Sequence, residues 1–97
     1  MLPDDHISVA RLMGRVREED KRAELQVFAR YHAMVSRFAH WCLNRNAELR
    51  RSEESDDIAQ EAWRRFFEGV LNGRWTVSNC RQVATVLTLL VRDVARV

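Results

Sequence analysis

Asp57, Gln60, Glu61 and Arg64 form the densest group of hydrogen-bonding side chains in this chain, and their spacing of three and four residues puts them on one side of a helix. Carboxylates, an amide and a guanidinium in one row can hold a protein partner through hydrogen bonds and ion pairs. The other reading is a solvated helix face. A second group begins at Arg74 and Trp75 and continues through Arg81, Arg92 and Arg96. Arginines track phosphates, and an exposed aromatic ring offers a stacking platform for unpaired bases. The competing reading folds Trp75 back into the core and leaves the arginines in water.

Little in the chain suggests catalysis or a cofactor. His6, His32 and His40 never fall three or four residues apart, so none shares a helix face with another as paired metal ligands would. The acidic cluster Glu53, Glu54, Asp56 and Asp57 lacks the spacing and the glycine of a calcium loop and reads as a solvated helix start. There is no phosphate-cradling glycine loop and no nucleophile elbow. No catalytic residue, metal, cofactor or small-molecule substrate is therefore expected. Cys42 and Cys80 fit neither a disulfide framework nor a zinc spacing and are expected as reduced core thiols.

The elements that must position these groups are helical. Ninety-seven residues make one small domain, 1–97, and with only 3 glycines and 1 proline there is little turn material, so long helices with few connections follow. Pro3, Asp4 and Asp5 are helix-opening residues for a first helix over about Ile7 to Val16. After a charged break, Asp20 can cap a second helix reaching about Leu43. Its two apolar rows, Leu25/Phe28/Val35/Ala39/Cys42 and Val27/Tyr31/Met34/Phe38/Trp41, predict a central position with several neighbours. Asn44 to Glu54 is the longest polar stretch and reads as a loop.

The third helix, Ser55 to Leu71, organises the rest. Ser55, Asp56 and Asp57 supply cap oxygens and first-turn charge, and Ile58, Ala62, Phe66 and Val70 recur every four residues with Trp63 and Phe67 beside them. Asn72 and Gly73 stop the helix, glycine being suited to a left-handed position there. A loop over Asn72 to Asn79 leads to a fourth helix, Asn79 to Val97. That helix has Val83, Leu87, Leu90, Val94 and Val97 on one face and the arginine stripe on another.

All but one of the 16 basic residues are arginine, which fits either a GC-rich genome or selection for phosphate and carboxylate contacts. The net charge of +2 is too small to identify a nucleic-acid partner by itself. No signal peptide or lipidation motif is visible at the N-terminus, and the apolar run Val83 to Val91 is too short to span a bilayer, so a cytoplasmic protein with no membrane partner is expected.

The segment SDDIAQEAWRRFF resembles the signature of the second conserved region in bacterial RNA polymerase sigma factors of the extracytoplasmic-function group. The preceding EDKRAELQVFARYHAMVSRFAHWCL is similar to the family's first region, and NCRQVATVLTLLVRDVAR to the last helix of the same domain. The likeness covers about residues 19 to 96 and is strongest at Asp57, Gln60 and Glu61. It implies an all-α, compact four-helix bundle whose third helix docks on the coiled coil of the polymerase β′ subunit through Asp57, Gln60, Glu61 and Arg64. It also implies that Arg74, Trp75, Asn79 and Arg81, with Arg92 and Arg96, hold the non-template strand of the promoter element nearest the start site. An anti-sigma protein would be a further partner.

The chain departs from the family pattern at three places. Val83 and Ala84 stand where an aromatic is common, Arg96 replaces an aspartate, and the family's second, helix-turn-helix domain is missing from the sequence, as expected of either an excised domain or a stand-alone sigma-like protein. Two readings therefore remain: a transcription initiation factor domain that binds RNA polymerase core and promoter DNA, or a sigma-like interaction module that has lost DNA binding and acts by binding or sequestering a protein partner.

Overall fold

The computed structural model describes residues 8–45 and 52–95. These residues form four helices, α1 (Val9–Arg17), α2 (Lys21–Arg45), α3 (Ser52–Leu71) and α4 (Cys80–Ala95), with no strand among them. The architecture is all-α, and α2 packs against each of the other three helices, the central position that its two apolar rows predict.

α1 begins at Val9 because Ser8 takes the cap, its Oγ accepting from the Arg11 N–H at 3.2 Å. The expected opening signals Pro3, Asp4 and Asp5, together with His6 and Ile7, lie outside the described residues. The helix closes at a residue in the left-handed region, Glu19 with φ 62°, and the Asp20 N–H donates back to the Arg15 carbonyl at 3.1 Å. Asp20 then opens α2, its Oδ1 accepting from the Arg22 N–H at 2.9 Å, as expected of a capping residue there.

α3 starts at Ser52, three residues before the expected Ser55, so Ser55 is a buried residue inside the helix and not its cap. The run SEESDD is acidic and rich in cap-forming types throughout, so the helix dipole favours an early start as well as a late one. The inward stripe matches its spacing: Ile58, Ala62, Trp63, Phe66 and Val70 are buried and Phe67 is half-buried. Trp63 stacks on Phe67 with centroids 5.5 Å apart and meets Phe28 of α2 at 5.2 Å, which ties the two helices by ring contacts as well as by area. Gly73, at φ 74°, ends the helix in the left-handed conformation expected of it, and the Arg74 N–H donates to the Gly69 carbonyl at 2.8 Å.

α4 is capped by Asn79, whose Oδ1 accepts from the Gln82 N–H at 2.9 Å, while Gln82 Oε1 accepts from the Ser78 N–H at 2.8 Å. Its inward face is Val83, Leu87, Leu90 and Val91.

Two expectations need correcting. Leu25 was expected in an apolar row of α2 but is 67% exposed, because three neighbours cannot cover the whole circumference of one helix. Cys80 was expected in the core but is exposed at the first residue of α4, and Cys42 is half-buried; both are free thiols. No helix among the described residues is long and apolar enough to cross a membrane.

Candidate functional site

The polar side of α3 is built by the same periodicity that builds its core side. With Ile58, Ala62, Phe66 and Val70 turned inward, the residues between them are forced outward: Asp57, Gln60, Arg64 and Glu68 are exposed, and Glu61 and Arg65 half-buried. Glu61 sits at the centre of a network. Its two carboxylate oxygens accept from Arg64 in a bidentate pair, Nε to Oε1 at 3.0 Å and Nη2 to Oε2 at 2.6 Å. Arg65 Nε donates to the same Oε2 at 2.8 Å, and the Arg64 Nη1 reaches Glu68 Oε2 at 2.7 Å.

These bonds hold the Glu61 carboxyl down to about 2, the Arg64 hydrogen bonds contributing most and those from Arg65 next, against a smaller opposing effect of burial. Arg64 is raised in turn, chiefly by its bonds to Glu61. Two arginines and two carboxylates therefore form a fixed row with no net charge. Asp57 and Gln60, one turn earlier, have no hydrogen-bond or ion-pair partner among the described residues. What α3 offers is one unpaired carboxylate and one amide beside a held carboxylate. Arg65 and Glu68 were not among the expected contact residues, although their spacing of four and seven from Glu61 could have placed them in the row.

The second set lies on the loop over residues 72–79 and on α4. Trp75 is half-buried: its Nε1–H donates to the Phe66 carbonyl at 3.0 Å, and its six-membered ring lies against Gly69 of α3. Arg74 is exposed, with its guanidinium 6.0 Å from the Trp75 ring centroid. The loop is tied a second time, to α1, by Arg17 Nη2 donating to the Val77 carbonyl at 3.4 Å. Asn79 serves as the cap of α4.

Arg81 and Arg92 are exposed, and their spacing of eleven residues puts them on one stripe of α4 with Thr85 and Thr88 between them, about 16 Å apart along the axis. A shallow groove runs beside this stripe over Arg81, Ala84, Thr85, Thr88 and Leu89. Arg96 lies outside the described residues. The α3 row and the α4 stripe are separate sets: among the described residues, no hydrogen bond or ion pair joins them.

His32 is exposed and stacked on Phe28 at 4.5 Å, and His40 is exposed. Among the described residues, no group of three or more His, Cys, Asp or Glu converges as metal ligands would. Compared with known protein families, with curated proteins and with solved structures, the chain finds no match.

Proposed function

We propose that this chain is a sigma-like transcription factor domain that docks on the β′ clamp of RNA polymerase through α3 and meets an opened promoter strand through the loop 72–79 and α4. The observation that carries the reading is the outward row of α3, where exposed Asp57 and Gln60 adjoin a Glu61 fixed by Arg64. Glu61, held by its own ion pairs, loses little side-chain freedom on binding, and Asp57 and Gln60 beside it keep their hydrogen-bonding capacity for a partner. On the DNA side, Arg74, Arg81 and Arg92 are exposed cations. Trp75 and Asn79 act there as positioning residues, fixing the loop and opening the helix. The domain works by binding energy placed on a strand that is already unpaired, with no covalent step.

The docking half is tested by capture of core polymerase with the Asp57→Ala, Gln60→Ala, Glu61→Ala triple variant, which should lose the polymerase. Retention at the wild-type level would overturn it.

A second reading is favoured by one observation: two of the expected strand-binding residues, Trp75 and Asn79, already have partners inside the fold. On that reading the bundle binds a protein partner and no longer binds DNA. A salt titration on single-stranded promoter DNA separates the two. Three phosphate contacts give a log–log slope of about −2. An interaction module gives no measurable binding at any salt concentration.

A further inference from the structure

The segment between α3 and α4 alternates. From residue 74 to residue 78 every second side chain is turned inward: Trp75 is half-buried and Val77 is buried, while Arg74, Thr76 and Ser78 are exposed. That is the two-residue period of extended chain, whose successive side chains point to opposite sides. Each inward residue is tied to a different helix. Trp75 is held on α3, by its seat against Gly69 and its bond to the Phe66 carbonyl. At Val77 the tie comes from α1, whose last residue, Arg17, donates from Nη2 to the Val77 carbonyl at 3.4 Å.

Among the described residues, the Val77 carbonyl accepts from no other donor, and the Arg17 side chain has no other hydrogen-bond or ion-pair partner. The bond is part-buried, so water does not fully replace it when it is lost. Its removal leaves the Val77 side chain held in the core by burial, and the bundle stays folded. What changes is the setting of the segment. Two ties two residues apart fix its direction, whereas Trp75 alone leaves residues 76–78 free to turn, and with them the side on which Thr76 is presented beside Arg74.

We infer that Arg17 is a positioning residue for strand binding: through the Val77 carbonyl it fixes the outward setting of Arg74 and Thr76, which makes α1 part of the strand-binding apparatus. The inference rests on the reading of the loop 72–79 as a single-strand contact. To that reading it adds Thr76, exposed and with its hydroxyl unpartnered among the described residues, as a second contact beside Arg74. α1 precedes residues 19–96, which carry the family likeness, so the likeness assigns Arg17 no part.

The test combines amide hydrogen exchange with binding of single-stranded promoter DNA, both on the full chain. Arg17→Ala should speed exchange at Thr76 and Val77, leave the helices at their wild-type rates, and weaken DNA binding by about fivefold, the equivalent of one hydrogen bond. Arg15→Ala, which removes the same charge from α1, should change neither reading. In an Arg74→Ala, Thr76→Ala background the effect of Arg17→Ala on binding should shrink to less than about twofold, because nothing is left on the loop for it to position. Unchanged exchange in Arg17→Ala, an equal loss of binding in both backgrounds, or an equal loss from Arg15→Ala would overturn the inference while leaving the loop a strand contact. A wild-type chain that binds no single-stranded DNA would overturn that reading of the loop, and the inference with it.

Discussion

Replacing Gly69 with alanine should destabilise this domain, against the usual effect of that change inside a helix. Alanine is ordinarily better than glycine there by about 0.5–1 kcal/mol, because it restricts the unfolded chain and the helix tolerates its methyl. Here a Cβ at position 69 would stand 2.9 Å from Cη2 of Trp75 and closer still to Cζ2 and Cε2, so the indole must leave its seat. Leaving breaks the Nε1–H bond to the Phe66 carbonyl, worth about 1 kcal/mol. It also returns on the order of 100 Å² of ring surface to water, about 2.5 kcal/mol.

Offset by the helix-propensity gain, the net loss is about 2–3 kcal/mol. With a urea m-value near 1.5 kcal/mol/M, the midpoint falls by about 1.5 M at unchanged slope. The companion measurement is the same substitution in a Trp75→Ala background. There the obstruction is gone and Gly69→Ala should be neutral or stabilising, a reversal of sign that only direct contact between the two residues produces. A single variant as stable as the wild type, or equal effects in the two backgrounds, would refute the reasoning.

Three further outcomes follow from the same geometry. Glu61 should titrate near 2 by carboxyl NMR, and Arg64→Ala should return it towards the ordinary carboxylate range; a wild-type midpoint near 4 would contradict the network. Because its folded value is lowered, the stability it contributes is present above about pH 4.5 and is lost as the pH falls towards 2, which acid-unfolding curves of wild type and Glu61→Gln should show. Glu19→Gly relieves a left-handed non-glycine residue at the end of α1 and should raise stability by up to about 1 kcal/mol in denaturant titration, whereas a loss would show that φ 62° is not strained there.

The parts of the structure legible in the sequence are those set by spacing within one helix. Ile58, Ala62, Phe66 and Val70 mark their own inward face, and turning them inward sends Asp57, Gln60, Arg64 and Glu68 outward without reference to any neighbour. Gly73 after Asn72 stops α3 for a purely local reason, and Asp20 opens α2 for another.

What the sequence leaves open is decided by competition or by distant contact. The opening of α3 is degenerate, because Ser52, Ser55 and Asp56 are all capable caps and the acids favour each start alike. The exposure of Leu25 and Trp41 depends on where the three neighbouring helices lie around α2, which no pattern inside α2 records. Trp75 is the sharpest case. Its local sequence fits a turn or a stacking platform, and the residue that settles its place is Gly69, six positions earlier on another element, whose missing side chain makes the seat. A glycine inside the last turn of an otherwise strong helix was the visible signal.

The outward row of α3 is proposed as a docking surface for RNA polymerase. Hydrogen exchange on the intact chain, with and without core polymerase, tests it most directly. Added protection is expected in α3 over residues 57–64, with loss of that protection in the Asp57→Ala, Gln60→Ala, Glu61→Ala variant. Protection that falls elsewhere on the bundle, or that survives in the variant, would contradict it.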